Sequence, residues 1–135
     1  ITVSLYAPLG FVQGLDVAQS FQLCDMWLIE GLRACGVRAR FAGLNDIAGP
    51  HGKIGGSAQQ RVPGEPGCIL HHTTLAYSID ARAMGAVLNT SAEKMSDKAV
   101  KSAAKRVEPI CAGTRLTRAQ VVARLVRTAR AFGAV

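Results

Sequence analysis

Asn45-Asp46-Ile47, a loop through Gly49-Pro50-His51-Gly52, Lys53-Ile-Gly-Gly-Ser-Ala-Gln-Gln-Arg61, a turn at Pro63-Gly-Glu-Pro-Gly67 and Cys68-Ile-Leu-His-His-Thr-Thr74 form the stretch that decides the fold. Two extended arms, Lys53 to Val62 and Gly67 to Ser78, flank a turn rich in Pro and Gly, which predicts a β-hairpin with a longer loop. Neighbouring strands then bring Lys53 and the histidine pair to one cleft. His71 and His72 are adjacent, so on a strand they point to opposite faces and do not share a metal ion; one faces the cleft and the other is structural.

Lys53 stands between Gly52 and Gly55-Gly56-Ser57, where one ammonium lies amid backbone that a ligand can approach closely. A fixed cation of this kind can bind a carboxylate and a phosphate together and offset charge that develops during acyl or phosphoryl transfer; the same spacing also reads as a surface lysine on a glycine-rich strand edge. The glycines follow the lysine, unlike a P-loop. Asn45-Asp46 offers a carboxamide oxygen beside a carboxylate, which suits Mg²⁺, and the same dipeptide is also ordinary turn chemistry. Cys68 and His71 fall on opposite faces of their strand, and His72 is about 13 Å away along it, so no Cys/His dyad is expected.

Working outward, Thr2 to Ala7 alternates as a strand ending at Pro8. Asp16 is an N-cap for a helix with Val17, Phe21, Cys24, Leu28 and Leu32 on one face, closed by Gly36. Val37 to Ala42 alternates as a half-buried strand. Asp80 starts a short helix over Ala81 to Leu88, residues 89–110 are expected to be irregular with one helical stretch near Asp97 to Ala104, and Thr117 caps a last helix. The order β-α-β-β-β-α-α indicates an α+β fold, a mixed β-sheet flanked by helices in a single domain.

The chain has 135 residues, 49% of them apolar and 19% charged, enough for one mainly aliphatic core. No apolar run approaches the ~20 residues of a membrane span, so a soluble, cytoplasmic protein without membrane association is expected. Four scattered cysteines, Cys24, Cys35, Cys68 and Cys111, read as reduced, buried thiols rather than a zinc site. The net charge of +7 arises after residue 79, where eleven basic side chains face four acidic ones, against five and five before it. No aromatic residues interleave with the cations, which argues against nucleic acid and leaves a solvated cationic helix face or a surface for an acidic protein partner.

Together these residues resemble the lipoate-protein ligase A family. The resemblance is carried by Asn45-Asp46-Ile47, by Gly52-Lys53-Ile54-x-Gly56-Ser57-Ala58-Gln59-x-Arg61, by Leu70-His71-His72-x-Thr74-Leu75, by the Asp80 helix ending in Val87-Leu88, and by Glu93 to Val107. It implies a biotin/lipoyl protein ligase-like fold and an ATP-dependent ligase that forms lipoyl-AMP and passes the lipoyl group to a lysine. The acceptor is a lipoyl domain of a 2-oxo acid dehydrogenase complex or a glycine-cleavage H protein. It assigns Lys53 to the lipoyl carboxyl group and the α-phosphate. Asn45 and Asp46 fall on the phosphate and Mg²⁺ side, with Asp46 the metal contact. Gly55, Gly56, Ser57 and Ala58 fall to the wall of the adenylate pocket, and His71, His72, Thr73 and Thr74 to the lipoyl and ribose neighbourhood.

This sequence departs from the family at Gly55, usually Ser or Ala, and at Thr73, usually Gly, whose side chain is expected to narrow the pocket. The family's Gly-rich Arg-Arg-x-Ser-Gly-Gly-Gly motif is expected before Ile1. The chain is therefore expected to carry one wall of an acyl-adenylate site, with a preceding segment or a second polypeptide supplying the other, and no accessory domain. The competing readings are an octanoyl or lipoyl transferase working through a cysteine near Asn45-Asp46, where none stands, and a non-catalytic binding subunit.

Overall fold

The computed structural model describes residues 1–79 and 107–133. Five strands form one antiparallel sheet: β1 (Thr2–Pro8), β2 (Arg40–Ala42), β3 (Asp46–Ala48), β4 (Lys53–Val62) and β5 (Cys68–Leu75), in the order β1-β5-β4-β3-β2. Helix α1 (Val17–Ala34) lies between β1 and β2 in the chain, and α2 (Arg118–Ala131) follows a short 3₁₀ turn at Ile110–Ala112.

Both helices begin where the sequence predicts. Asp16 accepts the backbone N–H of Gln19 at 2.8 Å while Gln19 returns its side chain to the Asp16 N–H, and Thr117 and Gln120 repeat this capping box at α2. Gly36 follows α1 at φ +87°, a conformation that costs a residue without Cβ little. The helices meet closely at Gly31, where an added Cβ would stand 2.7 Å from the Leu125 side chain.

Leu28, Leu32 and Trp27 of α1, Ile47, Ile54 and Leu75 of the sheet, and Val121 and Leu125 of α2 belong to one buried cluster. One sheet face is thus covered by helix. On the other, Ser4, Tyr6, Ala58 and Thr74 are exposed among the described residues.

The extended segment at Val37 is shorter than its alternation predicts. Val37 N–H bonds the Leu32 carbonyl, Ala39 N–H bonds the Val37 carbonyl, and the Arg33 Nε–H takes the Ala39 carbonyl, so residues 37–39 complete the helix end and only Arg40–Ala42 pairs. Three-residue β3 was not expected, because three residues carry no legible period. The hairpin is present, with its second arm ending at Leu75 instead of Ser78. The expected helices over 81–88 and 97–104 lie outside the described residues. Cys24 and Cys35 are buried as expected, whereas Cys68 is half-buried and Cys111 exposed.

Candidate functional site

Directly paired residues of an antiparallel ladder share a face, so the register sorts the site residues. Gly56 pairs Thr74 and Ala58 pairs His72, while Thr2 pairs Thr74 and Ser4 pairs His72, which sets these residues on the open face. Ser57 pairs Thr73 and Gln59 pairs His71, on the face toward α1.

Lys53 reaches the open face through a break in this alternation. Ile47 pairs Gly55 but Ala48 pairs Lys53, leaving Ile54 as an extra residue. A bulge of this kind re-aims the side chains beyond it. Ile54 and Gly55 are both buried, and Lys53 shares a face with Asp46 and Gly56. Its ammonium lies 2.8 Å from Asp46 Oδ1, with the Asp46 side chain 9% exposed and that of Lys53 30%. A Cβ on Gly56 would stand 2.9 Å from the Lys53 ammonium, so the glycine leaves the room that the lysine occupies.

Asn45 donates its amide N–H to the Ser57 carbonyl at 2.8 Å, and Ser57 N–H returns to the Asn45 carbonyl. Asn45 therefore ties the start of β3 to β4. Glu108 secures the loop before Lys53: its carboxylate accepts the His51 N–H at 2.6 Å, and its own N–H bonds the Lys53 carbonyl. Glu108 is not legible from the sequence, because nothing local marks a residue 55 positions from Lys53 as its neighbour.

Of the histidines, His72 is on the open face, where its Nδ1 lies 2.9 Å from Ser4 Oγ of β1. His71 is buried beneath the sheet. The structure thus groups Lys53, Asp46, Gly56, Ala58, His72 and Thr74 on one face and sets Gly55, Ser57, His71 and Thr73 on the other. Thr73 donates to Asp25 Oδ1 at 2.7 Å and points away from the open face, contrary to the expectation that it narrows a pocket there.

Mg²⁺ sites commonly use one or two protein carboxylates together with substrate phosphates. Among the described residues no group of three or more His, Cys, Asp or Glu side chains is arranged to hold a metal ion; the Asp46 carboxylate stands at the lysine. Burial raises the Cys24 thiol from its ordinary 9.0 to about 11, with the neighbouring Asp25 charge adding to the effect. Burial also raises Cys35. Neither is poised as a thiolate nucleophile at neutral pH.

A five-stranded antiparallel sheet with a buried helical face and a lysine–aspartate pair on its open face is accompanied by a family match. Residues 1–130 match the family model described as the lipoyl protein ligase A/B catalytic domain, and the chain belongs to that family. No curated protein sequence is significantly similar to it.

Among solved structures, the chain is similar to a bi-partite lipoate protein ligase of Thermoplasma acidophilum described with its E2 lipoyl domain. That match has 26% identity and a TM-score of 0.68, covering 96% of this chain and 49% of that one. A lipoate-protein ligase A bound with ATP gives a TM-score of 0.69 at 18% identity, covering 96% and 50%. A Plasmodium falciparum protein, LipL1, in complex with lipoate gives 0.69 at 16%, covering 97% and 34%. The last two likenesses speak for the fold alone. The chain spans half or less of the length of each.

Proposed function

We propose that this chain supplies the lysine-bearing wall of an ATP-dependent lipoate-protein ligase, which activates lipoate to lipoyl-AMP and transfers the lipoyl group to a lysine of a lipoyl domain. The observation that carries this reading is the Lys53 ammonium, aimed by the bulge at Ile54 onto the open face and held there by Asp46. An ammonium carries three donors, and one suffices for Asp46. The others are directed to the acid's carboxylate and the α-phosphate as the carboxylate attacks phosphorus and pyrophosphate leaves. The cation offsets the negative charge of both reactants, which otherwise repel, and stabilises the charge of the transition state.

The chain's other groups shape the surroundings. Gly56 and Ala58 keep the sheet surface low enough for the adenylate to lie on it, and His72 and Thr74 border it on β5. Asp46 would help hold Mg²⁺, which would supply further charge neutralisation.

The Gly-rich opposite wall comes, in this reading, from a segment or polypeptide outside these 135 residues; the acceptor is a lipoyl domain of a 2-oxo acid dehydrogenase or an H protein. Three observations support a two-part domain. Among the described residues β1 has no partner on its outer edge, and beside it an apolar groove of about 930 Å³ runs past Val3, Leu5, Leu23, Trp27, Val126 and Phe132. The Trp27 indole N–H is buried there without a hydrogen-bond partner among the described residues, as if awaiting an acceptor from the covering segment. The proposal places the enzyme in the cytoplasm; among the described residues no helix is long and apolar enough to cross a membrane.

The transferase reading needs a cysteine at the site. Cys24 and Cys35 are buried, Cys111 lies in the turn before α2, and Cys68 sits six positions before Thr74 on β5, about 20 Å along the strand. The ligase reading is tested by mixing the chain with ATP, lipoate, Mg²⁺ and a lipoyl domain, with and without a polypeptide bearing the Gly-rich motif. Lipoylation in the complete mixture is expected. Absence from both mixtures removes the proposal.

A further inference from the structure

Asp25 projects from α1 toward the underside of the sheet, with 2% of its surface exposed. A carboxylate so placed is costly unless several donors meet it. Two donate to it, Ser57 Oγ of β4 to Oδ2 and Thr73 Oγ1 of β5 to Oδ1 at 2.7 Å, and His71 Nε2 stands 3.0 Å from Oδ1 without hydrogen-bond geometry. Ser57 Oγ and Thr73 Oγ1 lie 3.1 Å apart, each with its proton directed to Asp25. The set continues through Gln59, whose amide nitrogen lies 3.2 Å from His71 Nδ1 and whose oxygen accepts from Ser20 Oγ at 2.8 Å. The Gln59 amide nitrogen can only donate, so Nδ1 accepts and the ring proton is on Nε2.

These partners occupy every second position of the hairpin. Residues 57 and 59 of β4 and 71 and 73 of β5 bond below the sheet, while 56, 58, 72 and 74 between them face upward at Lys53 and Ser4. One carboxylate thus grips both strands and fixes their rotation about their own axes, which is the variable that sets where His72 and Thr74 point. Ordinary apolar core packing does not do this, since it tolerates sliding and rotation that hydrogen bonds to a single acceptor do not.

We infer that Asp25 is a positioning residue for the site on the opposite face of the sheet, acting through Ser57, Thr73 and His71 to orient His72, Thr74 and the floor beside Lys53. The Thr at position 73 is part of this device. The activity arm of its test rests on the ligase reading; the spectroscopic arm does not.

The test compares Asp25→Asn with Leu28→Ala, a buried core change that removes none of these hydrogen bonds, at a temperature well below both melting points. Asparagine keeps the volume but sets an NH₂ against donors that need an acceptor. In this chain alone, the ¹⁵N ring shifts of His72 are expected to move in Asp25→Asn, as its bond with Ser4 loosens, and to stay in place in Leu28→Ala. In the assembled enzyme, Asp25→Asn is expected to lower kcat for adenylate formation at least tenfold with KM for ATP within threefold, and Leu28→Ala to leave kcat within twofold. Thr73→Val, which removes one donor at constant shape, is expected to act in the same direction with a smaller loss, and serves if Asp25→Asn does not fold. Unmoved His72 signals in Asp25→Asn and Thr73→Val, or matching losses in Leu28→Ala, overturn the inference. A wild-type enzyme without adenylation overturns the ligase reading and leaves the His72 comparison to decide this one.

Discussion

Lys53 Nζ and Asp46 Oδ1 lie 2.8 Å apart across two neighbouring strands, and they face each other because β4 holds one residue more than its partner. Were β4 to alternate strictly through Ile54 without the bulge, Lys53 would turn to the buried face of the sheet, away from Asp46. The pair is half-screened by protein, so it constrains the lysine more than a fully solvated ion pair does while leaving the cation open to an anionic ligand.

Two adjacent glycines should respond differently to the same change. A Cβ on Gly55 meets the Thr74 carbonyl and the Leu75 side chain on the buried side, so Gly55→Ala forces backbone to move. About 1–3 kcal/mol of destabilisation is expected, seen as a lower urea midpoint. A Cβ on Gly56 meets the flexible end of Lys53, so Gly56→Ala should keep the midpoint and instead lower adenylation as the ammonium is pushed aside. Equal stability loss in both would contradict the assigned faces.

Asp46→Asn removes the charge that holds Lys53 and keeps the shape. The fold should persist, because Asn45 still ties β3 to β4 through Ser57. The KM for MgATP is expected to rise about tenfold, the scale of one charge-assisted hydrogen bond at a partly exposed site. Steady-state kinetics at varied Mg²⁺ checks this; an unchanged KM would remove Asp46 from the phosphate side.

Thiol reactivity should follow burial. Cys111 is exposed and should react with a disulfide reagent at pH 8, whereas Cys24, raised to about 11, should stay protected until the chain unfolds. The sign of the linkage follows from that shift. The folded state keeps the Cys24 proton that the unfolded chain releases from about 9 upward, so this thiol's contribution is present below pH 9 and is lost as pH rises toward 11. Unfolding midpoints of Cys24→Ala should accordingly fall less between pH 9 and pH 11 than those of the parent.

Much of this is legible in the chain. Asp16 and Thr117 announce both helix starts, and the Pro63–Gly67 turn announces the hairpin, because these signals are local. The pairing of Lys53 with Gly56 and Asp46 is half legible: the residues stand out, but the bulge that brings them to one face depends on a register that no short window contains. Alternation says that His71 and His72 diverge without saying which is buried, since that depends on where α1 lies. Asp25 gives no signal, for on the helix it looks like one more polar residue. Its partners Ser57 and Thr73 are 32 and 48 positions away.

The most direct measurement is lipoyl-AMP formation, followed by pyrophosphate release, in the chain assembled with a polypeptide bearing the Gly-rich motif. Lys53→Ala is expected to cut the rate by about 10²–10³, the range found when one preorganised transition-state donor is removed, while Cys68→Ser leaves it unchanged. A Lys53→Ala enzyme with full activity, or loss of activity in Cys68→Ser alone, would contradict the account.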